Sequence, residues 1–456
     1  MAEVTQTAGK SDVDAELSRD YSLGSLLLFV LPSIFTFVFI AFYQIADGFF
    51  ISKYVGPYAI SAVNLYYPVI SLLLAVGTML GTGGNATIVK LLGEGKKDEA
   101  DSAFTQTVFT ALALSAVFAV SCLIFKKPFM YLLGATDGNI EYLEPYYMLL
   151  SAFAPAIMLQ TILGVLIIGE GKTVLTGVLI ILGGVSNIVL DYVFMGRCGM
   201  GIRGAAIATV TGYVIPVLYA LYFYSPKGGS KYRLRFTRFQ PKLIGGICFN
   251  GSSEMVSNLA AGVTALLMNH LALSLCGEVG VSVVSVFLYV QFIVIAVFMG
   301  MTTAVEPLFS YHFGSGNVAM RRKLYRMTLI WTAVFSLILA VIVFLFRAAI
   351  VNFFFDDAAE KGFVSLGLSA IFWVAPACLF TGFNVFASGL FTAFSDGMIS
   401  GLLSAVRTFV ILSICLFVMA KLFGSSGLWA AWAVAEALSL AVSLFFLFRY
   451  RRKYQY

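Results

Sequence analysis

The sequence predicts an all-α membrane protein of twelve transmembrane helices, arranged as two six-helix lobes related by a parallel internal repeat. Its composition, the number of its apolar segments and the repeat support this prediction. Of the 456 residues, 60% are hydrophobic and only 11% are charged. A soluble domain typically carries about 25% charged residues. The natural solvent of such an apolar chain is therefore a lipid bilayer.

Twelve apolar segments are long enough to cross a bilayer, which requires roughly 20 residues at a rise of 1.5 Å each. Six precede a basic linker that contains Gly and Pro, and six follow it. We therefore divide the chain into five parts: a polar tail (1–20), an N-terminal lobe (21–224), the linker (225–242), a C-terminal lobe (243–448) and a basic tail (449–456).

The two halves of the chain repeat one another at a fixed offset. Leu92–Lys96 (LGEGK) reappears 221 residues later as Phe313–Asn317 (FGSGN). Six spans is an even number, so both halves enter the membrane from the same side, as parallel repeats do. Two such lobes enclosing a central cleft favour a transporter over a channel or a membrane enzyme. The same offset relates Gly56 to Gly277, Ser61 to Ser282 and Pro155 to Pro376.

The distribution of Lys and Arg predicts the orientation of the helices. With the N-terminus inside, 20 of the 29 Lys and Arg residues fall in cytoplasmic segments, eight fall in outer segments, and Arg407 lies within a span. By the positive-inside rule, both termini are expected in the cytoplasm. Topology and anionic lipid account for the net charge of +6, so we expect no nucleic-acid partner. The six scattered cysteines indicate no structural metal site, and no cofactor is expected.

Four polar residues of the N-terminal lobe are predicted at similar depth in its outer half: Asp47, Asn187, Asp191 and Thr209. Asn187 and Asp191 are four residues apart, which places them on one helix face. Their oxygen atoms suit a hard cation such as Na⁺. Two close carboxylates would alternatively share a proton. A third reading is that Asp47 and Asp191 only cap helix ends near the headgroups.

A second polar group is predicted near mid-depth in the C-terminal lobe. It comprises Glu254 on span 7, Arg407 on span 11 and Glu436 on span 12. Ionisable groups in the hydrocarbon region cost from about 2.5 kcal/mol upward, so each is a functional candidate. The group could bind a cationic substrate, tune ion coupling or hold the lobe together.

Aromatic residues on spans 1, 2 and 8 are candidates for lining the cleft, where they would stack on planar or cationic ligands. They are Tyr43, Tyr66, Tyr67, Tyr289 and Phe292.

Several motifs resemble those of the multidrug and toxic compound extrusion (MATE) transporters, in particular the bacterial MepA-like and DNA-damage-inducible F-like branches. Residues 45–56 (IADGFFISKYVG) are similar to the family's span 1 signature. Residues 187–194 (NIVLDYVF) and 199–210 (GMGIRGAAIATV) resemble its spans 5 and 6. Residues 61–69 (SAVNLYYPV) and 91–100 (LLGEGKKDEA) also fit, and the resemblance covers essentially the whole chain.

The resemblance implies two lobes forming a V, and drug efflux driven by antiport of H⁺ or Na⁺ in a bacterial inner membrane. We expect a monomer that exports small organic molecules. The family's N-lobe cation site matches Asp47, Asn187, Asp191 and Thr209, and its span 7 glutamate matches Glu254. Where some members carry a span 10 aspartate, this chain offers Thr381 and Asn384. We therefore expect ion coupling in the N-terminal lobe.

Two other functions are weaker alternatives. A flippase for lipid-linked saccharides shares the two-lobe plan, but it would favour a strongly cationic cleft, and only Arg407 is clearly within a span. A membrane enzyme would need a metal-ligand cluster or a nucleophile motif, and the sequence has neither.

Overall fold

The computed structural model describes residues 17–55, 57–133, 140–235, 237–354 and 361–456. Most of the N-terminal tail, together with Gly56 of the repeat, lies outside these residues. The described part is almost entirely helical and contains no β-strand.

The first six spans form the N-terminal lobe. Span 4 is two helices that meet at an angle of 53°, beside Pro155. Span 5 does not end as an α-helix but continues as a π-helical turn, which begins directly after Asp191. The bounds are Leu23–Tyr54 (span 1), Pro57–Gly93 (span 2), Lys97–Ile124 (span 3), Ile140–Ala152 and Ala154–Gly169 (span 4), Thr173–Asp191 with Tyr192–Arg197 (span 5), and Gly201–Phe223 (span 6); a short helix, Lys126–Leu132, precedes span 4.

The other six spans form the C-terminal lobe. Spans 7 and 8 run as one helical stretch, broken at Gly277, whose φ of 65° suits glycine because it has no Cβ. Spans 11 and 12 are separated in the same way at Gly424, with φ 60°. The bounds are Pro241–Asn250 followed by Ser252–Gly314 (spans 7 and 8), Val318–Phe354 (span 9), Lys361–Ala393 (span 10), and Gly397–Ala405, the π-helical turn Val406–Ile411 and Leu412–Tyr454 (spans 11 and 12).

The number of spans agrees with the sequence prediction. Ten described helices are long and apolar enough to cross a membrane, and the bent pair of span 4 makes eleven. One of the ten, Gly397–Tyr454, contains the break at Gly424 and provides two spans. The described chain therefore supplies twelve spans, and the all-α membrane fold is confirmed.

Glycines bring the two lobes into backbone contact. A Cβ added to Gly93 on span 2 would lie 2.3 Å from the carbonyl oxygen of Tyr311 on span 8. A Cβ on Gly251 would lie 1.9 Å from the carbonyl oxygen of Met79, and one on Gly300 would lie 2.7 Å from the Cα of Ile34. Small residues permit such close helix packing in membranes. These contacts lie in the half of the bundle nearest the linker, which we call the linker end.

The linker runs in extended form along the linker end of the N-terminal lobe. Its backbone N–H groups at Arg233 and Arg235 donate to Asp101 (3.0 Å) and to the Thr105 hydroxyl (3.1 Å) on span 3. Further back along the chain, the Ser230 hydroxyl donates to the Glu170 carboxylate. The linker is thus fixed to the N-terminal lobe before span 7 begins.

Candidate functional site

Glycines on spans 5 and 6 draw three helices of the N-terminal lobe together around the predicted site. A Cβ on Gly183 of span 5 would lie 2.4 Å from the carbonyl oxygen of Gly212 on span 6. On the adjacent position, a Cβ on Gly184 would lie 2.6 Å from Cε1 of Phe39 and 3.3 Å from Cδ1 of Tyr43, both on span 1. Spans 1, 5 and 6 therefore meet one turn below Asn187.

Asn187 and Asp191 are both buried within this three-helix contact. Asn187 is 4% exposed and Asp191 is 0% exposed, although the surrounding helices are mostly apolar. The Nδ2 of Asn187 has no hydrogen-bond partner among the described residues. A Cβ on Gly212 would lie 3.1 Å from the Cβ of Asn187, so this amide side chain lies against span 6.

The other two predicted residues of this site belong to the same level of the lobe. Spans 1 and 5 run in the same direction and are in contact at Tyr43 and Gly184. Position 47 is about one helical turn beyond Tyr43, and Asn187 is about one turn beyond Gly184, so the two positions are level. The side chain of Asp47 lies outside the described part. Span 6 runs in the opposite direction, and Thr209, one turn from Gly212, is level with Asp191; its hydroxyl donates to the carbonyl oxygen of Ala205 (2.9 Å).

Both predicted polar groups adjoin a π-helical turn, a feature that the sequence analysis did not identify. Asp191 is the residue that precedes the turn Tyr192–Arg197, and Arg407 lies inside the turn Val406–Ile411. Such turns frequently occur at functional sites, because the extra residue shifts side chains around the helix and loosens the hydrogen-bond ladder. The two turns occupy corresponding spans, 5 and 11, of the two halves.

In the C-terminal lobe, a partly buried Arg407 forms an ion pair with the buried Glu436. The Arg407 Nη2 lies 2.8 Å from Oε1 of Glu436, and its Nε donates to both carboxylate oxygens at 3.1 and 3.2 Å. Trp432 Nε1 also donates to Oε1 (3.2 Å). The side chains of Arg407 and Glu436 are 15% and 4% exposed. The opposite charges therefore neutralise one another inside the lobe.

Span 10 contributes Asn384 to the same network. Its Nδ2 donates to Oε2 of Glu436 (2.7 Å), and its Oδ1 accepts from the Ser443 hydroxyl (2.8 Å). Thr381 is also buried, but its hydroxyl donates to the Ala377 carbonyl oxygen one turn earlier (2.9 Å). Asn384 thus takes part in the Arg407–Glu436 network, whereas the Thr381 hydroxyl bonds within its own helix.

Glu254 lies close enough to Arg407 to interact with it electrostatically, and it is 7% exposed. It also interacts with Glu306 on span 8, a residue that was not among the sequence-based candidates. Glu306 is 5% exposed, and a Cβ on Gly389 of span 10 would lie 2.6 Å from its Oε1. This second buried carboxyl group was missed because its burial depends on the neighbouring span.

The aromatic candidates are dispersed rather than gathered on one surface. Tyr66 is fully buried in the N-terminal lobe, where its hydroxyl is 3.0 Å from the Ser151 hydroxyl. Tyr43 packs beside Phe39 against span 5. Tyr289 and Phe292 are 41% and 42% exposed. The side chain of Tyr67 lies outside the described part.

Across the described ranges, no three His, Cys, Asp or Glu side chains are grouped closely enough to hold a metal ion.

Comparison with known proteins places these features in a family. The sequence model of the MatE family matches residues 32–193 and 255–419, which include spans from both lobes. Among curated proteins, the multidrug export protein MepA of Staphylococcus saprophyticus is 24% identical over 430 residues, covering 93% of each chain. MepA of Staphylococcus haemolyticus is 24% identical over 433 residues, covering 94% of each.

Solved structures match the fold of the whole chain. A multidrug resistance MATE family transporter of the MOP superfamily, in an outward-facing conformation, aligns with a TM-score of 0.91 at 22% identity. That alignment covers 98% of this chain and all of the other. A MOP superfamily transporter from Pyrococcus furiosus aligns with a TM-score of 0.90 at 22% identity, again over 98% of this chain and all of the other.

Proposed function

The chain belongs to the MatE family, and from this premise we propose that it exports small organic compounds, often cationic and amphipathic, by antiport with H⁺ or Na⁺. The curated relatives that it matches over 93–94% of their length are named as multidrug export proteins. Its twelve apolar spans, together with its bacterial MepA relatives, support a multi-pass protein of a bacterial membrane. Transport, rather than catalysis, is the function we assign.

One observation carries the assignment of ion coupling: Asn187 and Asp191 are buried on one face of span 5, in an apolar lobe. A buried carboxyl group in the membrane is unfavourable unless it is protonated or bound to a cation. The site therefore has the chemistry to bind H⁺ or Na⁺ and to distinguish the loaded from the empty state. Asp47 and Thr209 are at the same level of the lobe, and we include them in the proposed ion site.

The two lobes give this ion site a conformational change to act on. The backbone contacts at Gly93, Gly251 and Gly300 close the linker end. We propose that an ion entering from the opposite end disfavours the substrate-loaded, outward-open state, after which the lobes rock and the ion is released at the linker end. Antiport requires only that ion and substrate prefer different states or compete.

The C-terminal charges favour export over the flippase alternative. A cleft that holds a pyrophosphate needs available cationic groups, and Arg407 is paired with Glu436 through hydrogen bonds at 2.8–3.2 Å. We assign this pair and Asn384 to holding spans 10, 11 and 12 together. We further propose that both termini and the linker end face the cytoplasm, and that the protein works as a monomer.

The decisive experiment is an efflux assay in liposomes with a fluorescent organic cation, under separately imposed pH and Na⁺ gradients. Efflux driven by one gradient alone is the expected result and identifies the ion. Folded protein that is silent under both gradients would contradict antiport. In that case, movement of a lipid-linked saccharide in the same liposomes would establish the flippase.

A further inference from the structure

A groove at the linker end of the C-terminal lobe has a chemistry that the proposed transport cycle does not use. It has a volume of about 780 Å³ and lies between the beginning of span 9 and the end of span 12. Tyr325 of span 9 and Tyr456 meet beside it, with ring centroids 4.8 Å apart. The groove belongs to the C-terminal lobe, whereas the proposed ion site is in the N-terminal lobe.

Four arginines line this groove: Arg322 and Arg326 from span 9, and Arg451 and Arg452 from span 12. All four are exposed. None forms an ion pair within the described part of the chain. Among the described residues, the side chains of these arginines donate one hydrogen bond, from Arg451 Nε to the main-chain oxygen of Tyr456 (3.3 Å). Four positive charges are thus concentrated on one concave surface.

Among the described residues at this end of the lobe, the acidic side chains Asp20 and Asp396 are paired with lysines rather than with the groove arginines. Asp20 is 2.5 Å from Lys323 Nζ, and Asp396 is 3.1 Å from Lys453 Nζ. The groove therefore retains its positive charge beside neutralised neighbours. It is therefore accessible to an anion from outside the described residues.

The deeper wall of the groove is apolar and faces outward. Arg322, Arg326 and Leu329 recur at helical spacing on span 9, so the apolar residue lies one turn deeper than the charged ones. On span 12, Leu444 and Phe448 precede the two arginines and are 41% and 68% exposed. The charged part of the groove thus lies at the membrane surface, and its apolar wall lies deeper, at the level of the lipid acyl chains.

We propose that this groove binds an anionic phospholipid of the leaflet at the linker end. Guanidinium groups bind phosphate oxygens in bidentate fashion, and basic pockets between spans on the cytoplasmic side suit such headgroups. A soluble phosphate would use the arginines but not the wall formed by Leu329, Leu444 and Phe448. The lipid occupies both parts, with its headgroup on the arginines and its acyl chains along the wall. This proposal does not depend on the transport function.

The test measures lipid binding to the purified full-length protein in detergent, by native mass spectrometry and by thermal unfolding. The probes are phosphatidylglycerol, cardiolipin, phosphatidylcholine and inorganic phosphate. Arg322→Gln with Arg452→Gln removes two groove charges from exposed positions. The matched control is Arg238→Gln with Lys242→Gln, which removes two exposed charges from the linker.

We expect the anionic lipids, but not phosphatidylcholine or inorganic phosphate, to bind and to raise the unfolding temperature. The groove variant should bind them about tenfold or more weakly, because each basic group near the surface contributes to anionic-lipid binding. The linker control should bind like the unaltered protein. Phe448→Asn should also weaken binding, since it breaks the apolar wall.

Two results would overturn the proposal. Equal weakening in the groove and linker variants would show attraction to basic charge in general. Stabilisation by inorganic phosphate equal to that by lipid, unaffected by Phe448→Asn, would show a soluble-anion site.

Discussion

Gly93 and Gly314 occupy the same place in the two copies of the internal repeat, and each packs against a backbone carbonyl group one helical turn before the other. A Cβ on Gly93 would be 2.3 Å from the Tyr311 carbonyl oxygen, and a Cβ on Gly314 would be 2.2 Å from that of Lys90. The contact is reciprocal, as an axis relating the two lobes requires. It is also the place where spans 2 and 8 close the linker end.

Replacing either glycine with alanine should open this closure. The added methyl group has no space beside the carbonyl oxygen, and overpacking of this kind costs roughly 1–3 kcal/mol. We expect Gly93→Ala to lower ion-driven efflux severalfold and to speed amide hydrogen exchange at the ends of spans 2 and 8. Gly245→Ala is the matched control, because nothing lies within 4 Å of a Cβ there. Unchanged exchange and efflux in Gly93→Ala would show that this contact does not govern closure.

The proposed ion site gives a second prediction. Asp191→Asn and Asp47→Asn should each abolish efflux driven by either gradient while leaving the protein folded, because the amide cannot exchange a proton and carries no charge for Na⁺. Asn187→Ala should reduce efflux by about tenfold, since one oxygen ligand is lost. The control is Glu141→Gln, which removes an exposed carboxylate of the same lobe. Full efflux in both aspartate variants would refute the assignment.

Sequence reasoning was effective where a helix period or an intramembrane charge restricted the possibilities. The four-residue spacing of Asn187 and Asp191 predicted a common face, and both are buried. Arg407 and Glu436 were expected at one depth, and they form an ion pair at 2.8 Å. In each case a polar group in an apolar span has few favourable surroundings.

Features that depend on neighbouring helices were not accessible from the sequence. Glu306 is buried because span 10 presents Gly389 beside it. Tyr66 was a candidate for the cleft, but it packs inside the N-terminal lobe against Tyr146 and Tyr147. Helices that are apolar on all sides give no signal for which face is inward. The π-helical turns have no sequence signature at all.

The Arg407–Glu436 pair gives a third prediction, which separates a structural role from substrate binding. Removing one partner leaves a buried charge and should destabilise the protein by about 3–5 kcal/mol. Arg407→Met combined with Glu436→Gln removes both charges, and the glutamine oxygen can still accept from Asn384 and Trp432. We expect the double variant to regain most of the stability and the efflux lost in either single variant. A stable double variant that does not transport would instead assign the pair to substrate or coupling.

Glu170, at the turn between spans 4 and 5, gives a fourth prediction, on pH dependence. It is fully buried and accepts hydrogen bonds from the Ser230 hydroxyl and from the backbone N–H of Lys231 (3.2 Å). Burial raises the pKa of Glu170 from 4.5 to about 7, although these hydrogen bonds partly oppose the shift. The carboxyl group is therefore a titratable part of the attachment that holds the linker to the N-terminal lobe.

The direction of the effect follows from the two protonation states. Below about pH 4.5 the carboxyl is protonated in both folded and unfolded protein, whereas between about 4.5 and 7 only the unfolded chain loses its proton. Stability should thus fall as the pH rises through this range, by about 3 kcal/mol in total. Glu170→Gln keeps the shape without the charge and should flatten the pH dependence of thermal unfolding between pH 5 and 8. Glu99→Gln, at an exposed position, should retain the slope of the unaltered protein. Parallel curves for the unaltered protein and Glu170→Gln would mean that this carboxyl group does not titrate in the attachment.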